Sequence, residues 1–341
     1  MKIINAMTSK KTKFYGVQKS SIEYVRILLS LGHEVFFIVH NVESIKPYLE
    51  HHPNLHLIQI KKRPLGFIKE WLFLQKIKPD VVLIHNHFSF HRYASMGTGS
   101  SLFMIPHGLT ESHIPKHCFS FKHIICFSQF QKEHLKKAGI PTNYLHIVPH
   151  AIYKRREKKE KSSFLTIGYL GRIDSAKNVA IFVRALSLLQ QENISFQAII
   201  AGEGPDVEKI ALLIKNLNLT DHVRMIGYTS NPDIDFFEKI DLFCTLSCNE
   251  SFGLTVIEAF SSKKPCLLGD IATFRSFSNN EKNALLCPSF DVEIAAKKLR
   301  QLIADPLLRS QLKKNGFDYY KKHYTPEHVG RQLEKILQQN I

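Results

Sequence analysis

Short apolar runs alternate with longer amphipathic ones along nearly the whole chain of 341 residues. In the first half, KIINAM, EVFFIV, LHLIQI, DVVLIH, SLFMIP, HIICFS and LHIVP predict strands. Between them IEYVRILLSL, IKEWLFLQKI and QFQKEHLKKAG carry helical periodicity. The pattern restarts after a charged run, KRREKKEK, at 154–161. FLTIGYL, FQAIIAG, HVRMIGY, DLFCTL, PCLLGD and ALLCP predict a second set of strands. NVAIFVRALSLLQ, DVEKIALLIKNLN, NPDIDFFEK, GLTVIEAFSS and EIAAKKLRQLIADP predict its helices, and residues 305–338 read as helical throughout. Near-continuous apolar strands alternating with helices imply parallel sheets covered on both faces. The expected fold class is therefore α/β, with two Rossmann-like, doubly wound domains facing across a cleft. The expected boundaries are 1–152 for the first domain, 153–162 for a charged linker and 163–310 for the second domain. Residues 311–341 are expected to form helices that pack back toward the first domain.

Composition agrees with an ordinary globular protein, at 44% hydrophobic and 22% charged residues. No apolar run approaches the roughly 18–20 residues that span a bilayer, and MKIINAMTSKKTK lacks the apolar core of a signal peptide. The expected location is cytoplasmic. The six cysteines (Cys118, Cys126, Cys244, Cys248, Cys266, Cys287) sit mostly in apolar, strand-like stretches and read as reduced core thiols. Cys244 and Cys248 have a metal-compatible spacing but no second pair nearby. The formal charge of +16 is uneven: residues 1–150 hold 19 lysines and arginines against 8 acids, and 15 of the 18 histidines. A basic half suggests an anionic counterpart such as a membrane surface, nucleic acid or phosphorylated acceptor.

Ligands of doubly wound domains bind at the carboxyl ends of strands, which selects three loops of the second half. After FLTIGYL comes GRIDSAKN, where Arg172 offers a planar fork and Lys177 a point charge to one anionic group. After FQAIIAG, the tight turn Gly202–Glu203–Gly204–Pro205 precedes a helix but lacks the Lys-Ser/Thr of a P-loop. After DLFCTL comes NESFGLTVIEA. Ser251, Phe252, Gly253 and Leu254 present backbone amides at a helix start, suited to phosphate oxygens. Two acids flank this turn, Glu250 before it and Glu258 inside the apolar helix body. A carboxylate in such a setting needs a partner.

These loops together resemble the donor domain of glycosyltransferase family 4, retaining nucleotide-sugar enzymes of the GT-B fold. The two glutamates around FGLTVI match the family's pair, and Gly171, Arg172, Lys177 and Asn178 match its Gly-Arg…Lys-Asn signature. The resemblance implies that Arg172 and Lys177 bind the donor diphosphate and that Glu258 holds the ribose hydroxyls. It places Glu250 at the donor sugar, the amides of Gly253 and Leu254 on phosphate or sugar oxygens, and Tyr228 with Thr229 near the base. In IPHGLTES the resemblance makes His107 the histidine near the reactive end of the sugar. It implies catalysis with no metal ion and no resident cofactor, and a nucleoside diphosphate sugar as donor, UDP-sugar favoured over GDP-sugar. It implies an acceptor hydroxyl on a glycan or lipid-linked molecule, of the kind found in lipopolysaccharide or capsule synthesis.

The first half departs from the family. Its usual glycine pair reads Tyr15–Gly16, so Gly16 alone remains to meet the donor phosphate. Its Pro-Asn-Gly reads Pro149–His150–Ala151, a common glycine has become Lys264, and a second glycine pair reads Ala272–Thr273. In HNHFSFH, His85, His87 and His91 are candidates for acceptor contact or, more remotely, a metal. KKRPLGFIKEWLF combines Lys61, Lys62, Arg63 and Lys69 with Trp71 and Phe73, as interfacial helices do, which suggests peripheral docking on the inner face of the cell membrane. The competing readings are a nucleotide-sugar 2-epimerase of the same architecture and a basic nucleic-acid-binding protein. No zinc knuckle or RNP-like strand supports the second, so no nucleic-acid partner is expected.

Overall fold

A computed structural model describes residues 1–7, 16–59, 66–85, 99–107, 118, 120–155, 157, 164–278 and 281–341, apart from the side chains of 16 and 66–71. The chain divides into two compact units, residues 1–151 with 326–341, and residues 152–325.

Unit 1 holds a parallel sheet of β1 (Lys2–Ala6), β2 (Glu34–Val39), β3 (Leu55–Gln59), β4 (Val81–Ile84), β5 (Ser101–Met104), β6 (His123–Cys126) and β7 (Leu145–Ile147) in the order β3-β2-β1-β4-β5-β6-β7. All four residues of β4 and the last four of β1 are buried, while edge strand β3 is only half-buried. That gradient is why the central strands read as unbroken apolar runs. Helices α1 (Gly16–Ser30), α2 (Gly66–Ile77) and α3 (Gln129–Lys137) accompany these strands. Ser128 caps α3 by accepting from the Gln131 amide. Phe73 of α2 packs edge-on against Phe36 of β2, so this aromatic of the KKRPLGFIKEWLF stretch lies against the core of unit 1. Lys61, Lys62 and Arg63 lie outside the described residues, as do the side chains of Lys69 and Trp71.

Unit 2 repeats the architecture with β8 (Leu165–Leu170), β9 (Phe196–Ala201), β10 (Val223–Gly227), β11 (Leu242–Thr245), β12 (Cys266–Gly269) and β13 (Leu285–Cys287) in the parallel order β10-β9-β8-β11-β12-β13. Its helices are α4 (Val179–Gln191), α5 (Val207–Asn216), α6 (Leu254–Ser261), α7 (Ala272–Ser278), α8 (Val292–Ala304) and α9 (Pro306–His323). Phe182, Phe196, Phe236, Phe243, Phe260 and Phe274 are fully buried, each contributing about 1.5–3 kcal/mol of burial. Asp291 and Asp305 cap α8 and α9, accepting from the amides of Ile294 and Leu308 at 2.9 Å.

Three local outcomes differ from the expected pattern. Residues 305–338 are not one helix, because Pro326 stops α9 short of it and opens α10 (Pro326–Gln338). NPDIDFFEK forms a π-helical turn over Asp233–Phe237. ATFRSFS, without a clear apolar stripe, forms the short helix α7. Helix α10 belongs to unit 1, where Gly330 packs against Ile27 and Leu31, and Glu334 meets His33 Nε2 at 2.6 Å.

Among the described residues no helix is long and apolar enough to cross a membrane, and no His/Cys/Asp/Glu group has metal-holding geometry. Five of the six cysteines are buried, and Cys248 is half-buried.

Candidate functional site

The strand order of each sheet reverses once, between β1 and β4 in unit 1 and between β8 and β11 in unit 2. Such a reversal opens a crevice at the carboxyl ends of the flanking strands. In unit 2 the loops at that end are drawn together by backbone contacts that leave no room for side chains. Gly202 donates its amide to Gly227 O at 2.7 Å, and Gly171 donates to Ala201 O at 3.0 Å. A Cβ on Gly202 would sit 1.8 Å from Gly171 O, and its φ of +141° also favours glycine. Asn178, at φ +50°, ties the β8 loop to two others by donating to Leu246 O at 3.1 Å and Ser289 O at 3.0 Å.

Onto this frame the chain places its cations and acids. Lys177 Nζ meets Glu250 Oε1 at 2.6 Å, with Ser247 Oγ at 3.4 Å from the same oxygen. Thr273 Oγ1 donates to Glu250 O at 2.6 Å and fixes the turn before α6. Gly253 is the N-cap of α6 at φ +86°, and a Cβ there would come within 2.7 Å of the Phe274 ring. The first α6 amides have no carbonyl of their own helix to meet, the usual condition of a helix start. Phe252 is buried with its ring edge toward Tyr324, and Ser251 is half-buried. Phe252 can therefore serve a ligand only through its backbone. Arg172 is 58% exposed and turns its Nε to Asp174 at 2.9 Å, so the structure does not bring its guanidinium onto Lys177 or Glu250. Its carbonyl accepts from Tyr169 Oη at 2.6 Å. Burial first, then the charges of Glu250 and Asp174, push the Tyr169 phenol well above its usual value.

Glu258 stands apart from that cluster. Its carboxylate, 3% exposed, is held by Arg155 Nη2 at 2.9 Å, while Arg155 Nη1 reaches Asp233 Oδ2 at 3.3 Å. Burial alone would lower the Arg155 pKa, but the charges of Glu258 and Asp233 outweigh it and raise it. Tyr228 and Thr229 follow β10, and Thr229 Oγ1 donates to Asp235 at 2.6 Å on the same π-helical turn as Asp233. Arg155 and Asp233 were missed by sequence reasoning. Arg155 is hidden in a run of charges that reads as a solvated linker, and the only signal for it was the buried acid at Glu258 needing a cation.

In unit 1, Gly16 opens α1, and Tyr15 lies outside the described residues. His85 follows β4 and His107 follows β5. His85 Nδ1 lies 3.1 Å from His107 Nε2, and His150 Nδ1 lies 2.9 Å from Ser20 Oγ. The His107 and His150 rings stack at 5.9 Å, and His150 stacks on Phe127. Loss of water lowers the His107 pKa to about 3. It also drives His85 and His150 well below the usual value, helped for both by the neighbouring His107. All three rings are therefore neutral near pH 7, and His107 acts as a hydrogen-bonding imidazole rather than a cation. His87 and His91 lie outside the described residues.

Two parallel-sheet units of this topology give the α/β fold of the GT-B glycosyltransferases. Over 99% of this chain and 100% of the other, it superposes with a TM-score of 0.84 and 16% identity on HepE of Anabaena, solved in complex with UDP and glucose. Residues 152–319 match the family model "Glycosyl transferases group 1". The chain is 24% identical over 282 residues to the poly(glycerol-phosphate) alpha-glucosyltransferase of Bacillus subtilis (strain 168), covering 80% of this chain and 38% of that protein. It is 28% identical over 172 residues to the poly(ribitol-phosphate) alpha-N-acetylglucosaminyltransferase of Staphylococcus aureus (strain COL), covering 50% of this chain and 34% of that protein. The chain thus spans little more than a third of the length of these two relatives.

Proposed function

We propose that the protein is a retaining glycosyltransferase that moves a sugar from a nucleoside diphosphate sugar to a hydroxyl of a glycan or lipid-linked acceptor in cell-surface polysaccharide synthesis. The observation that carries this is the arrangement at the β8–β11 reversal. There a lysine, an acid and the start of α6 meet, framed by loops that only glycine allows. Departure of the sugar builds negative charge on the diphosphate. Lys177 and the α6 amides, with those of Gly253 and Leu254 foremost, stabilise that charge, joined by Arg172 once the diphosphate draws its guanidinium away from Asp174; this is the contribution that usually dominates such reactions. A diphosphate competes with Glu250 for Lys177, which turns Glu250 toward hydroxyls of the donor sugar. Glu258 accepts from the ribose hydroxyls, and Tyr228 and Thr229 border the base. Gly16 leaves room for the donor to approach the backbone, and Gly202 lets the loop after β9 close on the one after β8 that carries Lys177. His107 takes part as a neutral imidazole that hydrogen-bonds the transferred sugar.

The chain's own cations fill the role a divalent ion would otherwise play, so the reaction runs without metal and its rate is unchanged by EDTA. A uridine donor is favoured because HepE, of the same fold, was solved with UDP. The basic first 150 residues suit an anionic acceptor or membrane surface. Thermal-shift titration with UDP-, GDP- and ADP-sugars, followed by a transfer assay with the stabilising donor, tests the reading. Stabilisation by a UDP-sugar is expected, and Glu258→Ala should raise the donor KM about 10–100-fold, as losing charged hydrogen bonds to a ligand does. No stabilisation by any nucleotide sugar would overturn it. Formation of an epimer without transfer would replace it with the epimerase reading.

A further inference from the structure

Arg155 is the least expected member of the nucleoside side of unit 2. It comes from the charged stretch after Ile152, yet its side chain is only 15% exposed. Both ends of the residue are anchored. Its amide donates to Ser261 Oγ at 3.3 Å, and Ser261 Oγ in turn donates to Glu258 O at 2.7 Å. Its two Nη atoms divide between Glu258 on α6 and Asp233 on the π-helical turn. That turn also carries Asp235, the partner of Thr229. One guanidinium therefore links the acid assigned to the ribose with the loop assigned to the base.

The cluster is poorly arranged for stability alone. Among the described residues Arg155 Nε and Asp233 Oδ1, both buried, have no hydrogen-bond partner, and buried polar groups left in that state are a small minority in native structures. Glu258 also lies among Val256, Ile257, Ala259 and Phe260, which are fully buried. A carboxylate there keeps its charge only beside a cation. Other titratable groups of the surrounding elements are engaged elsewhere. Lys263 pairs with Glu157 at 2.7 Å, Lys264 donates to Ile240 O at 2.8 Å, and Tyr320 Oη donates to Ile152 O at 2.9 Å.

We propose that Arg155 is the positioning residue of the ribose subsite, holding the Glu258 carboxylate ionised and aimed so that it accepts from both ribose hydroxyls of a nucleoside diphosphate. A charged carboxylate has acceptor sites for two hydroxyls, whereas a protonated one gives up part of that capacity and becomes a donor. Arg155 thus acts on the nucleotide through Glu258, and the fork geometry of a guanidinium lets it serve Asp233 at the same time. The inference rests on the assignment of Glu258 to the ribose made above.

Calorimetric titration of the full chain with UDP and with 2′-deoxyuridine diphosphate tests it and separates the two claims. The native protein is expected to prefer UDP by about 10-fold, the order of one charge-assisted hydrogen bond. In Arg155→Met the preference should shrink to about 2-fold or less. UDP binding to this variant should weaken below neutral pH and recover as pH rises, because the uncompensated buried carboxylate takes up a proton. Arg155→Lys, which can serve one acid but not both, should show an intermediate preference. An undiminished preference with a flat pH profile in Arg155→Met would overturn the role of Arg155 and leave the ribose assignment intact. Equal binding of the two nucleotides by the native protein would instead overturn the ribose assignment of Glu258. Should Arg155→Met not fold, Arg155→Lys decides alone: an intermediate preference supports the proposal, and an unchanged one overturns it.

Discussion

Units 1 and 2 share parallel sheets that each reverse strand order once, but among the described residues the carboxyl ends of their strands carry different chemistry. Unit 1 gathers neutral imidazoles, with His85, His107 and His150 packed on one another and on Phe127. Unit 2 gathers full charges in pairs, Lys177 with Glu250 and Arg155 with Glu258 and Asp233. The fold positions a crevice without dictating what fills it. Neutral rings can accept or donate a hydrogen bond to an uncharged hydroxyl. Paired charges can be parted by a ligand that carries its own charge. The division matches an acceptor role for the first unit and a donor role for the second, as proposed above.

Four measurements probe that contrast. The largest expected effect is from Lys177→Ala, which removes the cation nearest Glu250 and should cut turnover by about 1,000-fold, the upper range for losing one preorganised donor to a developing anion. Activity close to native would remove unit 2 from the chemistry. Next, Gly202→Ala forces a Cβ to 1.8 Å from Gly171 O at a φ that disfavours alanine. Unit 2 should lose roughly 2–4 kcal/mol, read as a fall in its thermal midpoint, with unit 1 unaffected. His107→Gln keeps a neutral hydrogen-bonding group, so transfer should fall only about 10-fold, whereas a loss as great as that of Lys177→Ala would point to proton transfer by the ring. The last measurement concerns acid. A histidine whose folded pKa lies below its unfolded value stabilises fully above about pH 6.5, and that stability is lost as pH falls toward the folded value. Each of His85, His107 and His150 should cost about 1.4 kcal/mol per pH unit over that range. Hydrogen exchange followed from pH 7.5 to 5 should therefore show unit 1 opening before unit 2. The reverse order would break the contrast.

Much of the fold was legible because buried parallel strands leave unbroken apolar runs, and the runs at β1, β4, β8 and β11 are of that kind. The break at Pro326, the π-helical turn at 233–237 and the helix at 272–278 were not legible, being settled by packing rather than periodicity. In the site, Glu250, Gly253 and Lys177 stood out because a strand-end loop leaves its chemistry in consecutive residues. Arg155 did not, since its partners Glu258 and Asp233 are more than 70 residues away along the chain. The histidine network was equally hidden: His150 looked only like a missing glycine motif, and its contact with Ser20 spans 130 positions.

Helix α10 closes a loop in the chain that bears on synthesis. Unit 1 is built from residues 1–151 and 326–341, with all of unit 2 encoded between them. Gly330, Glu334 and Asn340 supply contacts to Ile27, His33 and Ser101 that cannot form until the ribosome has passed unit 2. The half that is translated first is thus the half completed last, and its β1–α1 region must wait, with Ile27 and Leu31 uncovered, while its neighbour folds. A chain truncated before residue 326 and released from the ribosome should hold a finished unit 2 and an unfinished unit 1, the state in which a chaperone would matter most.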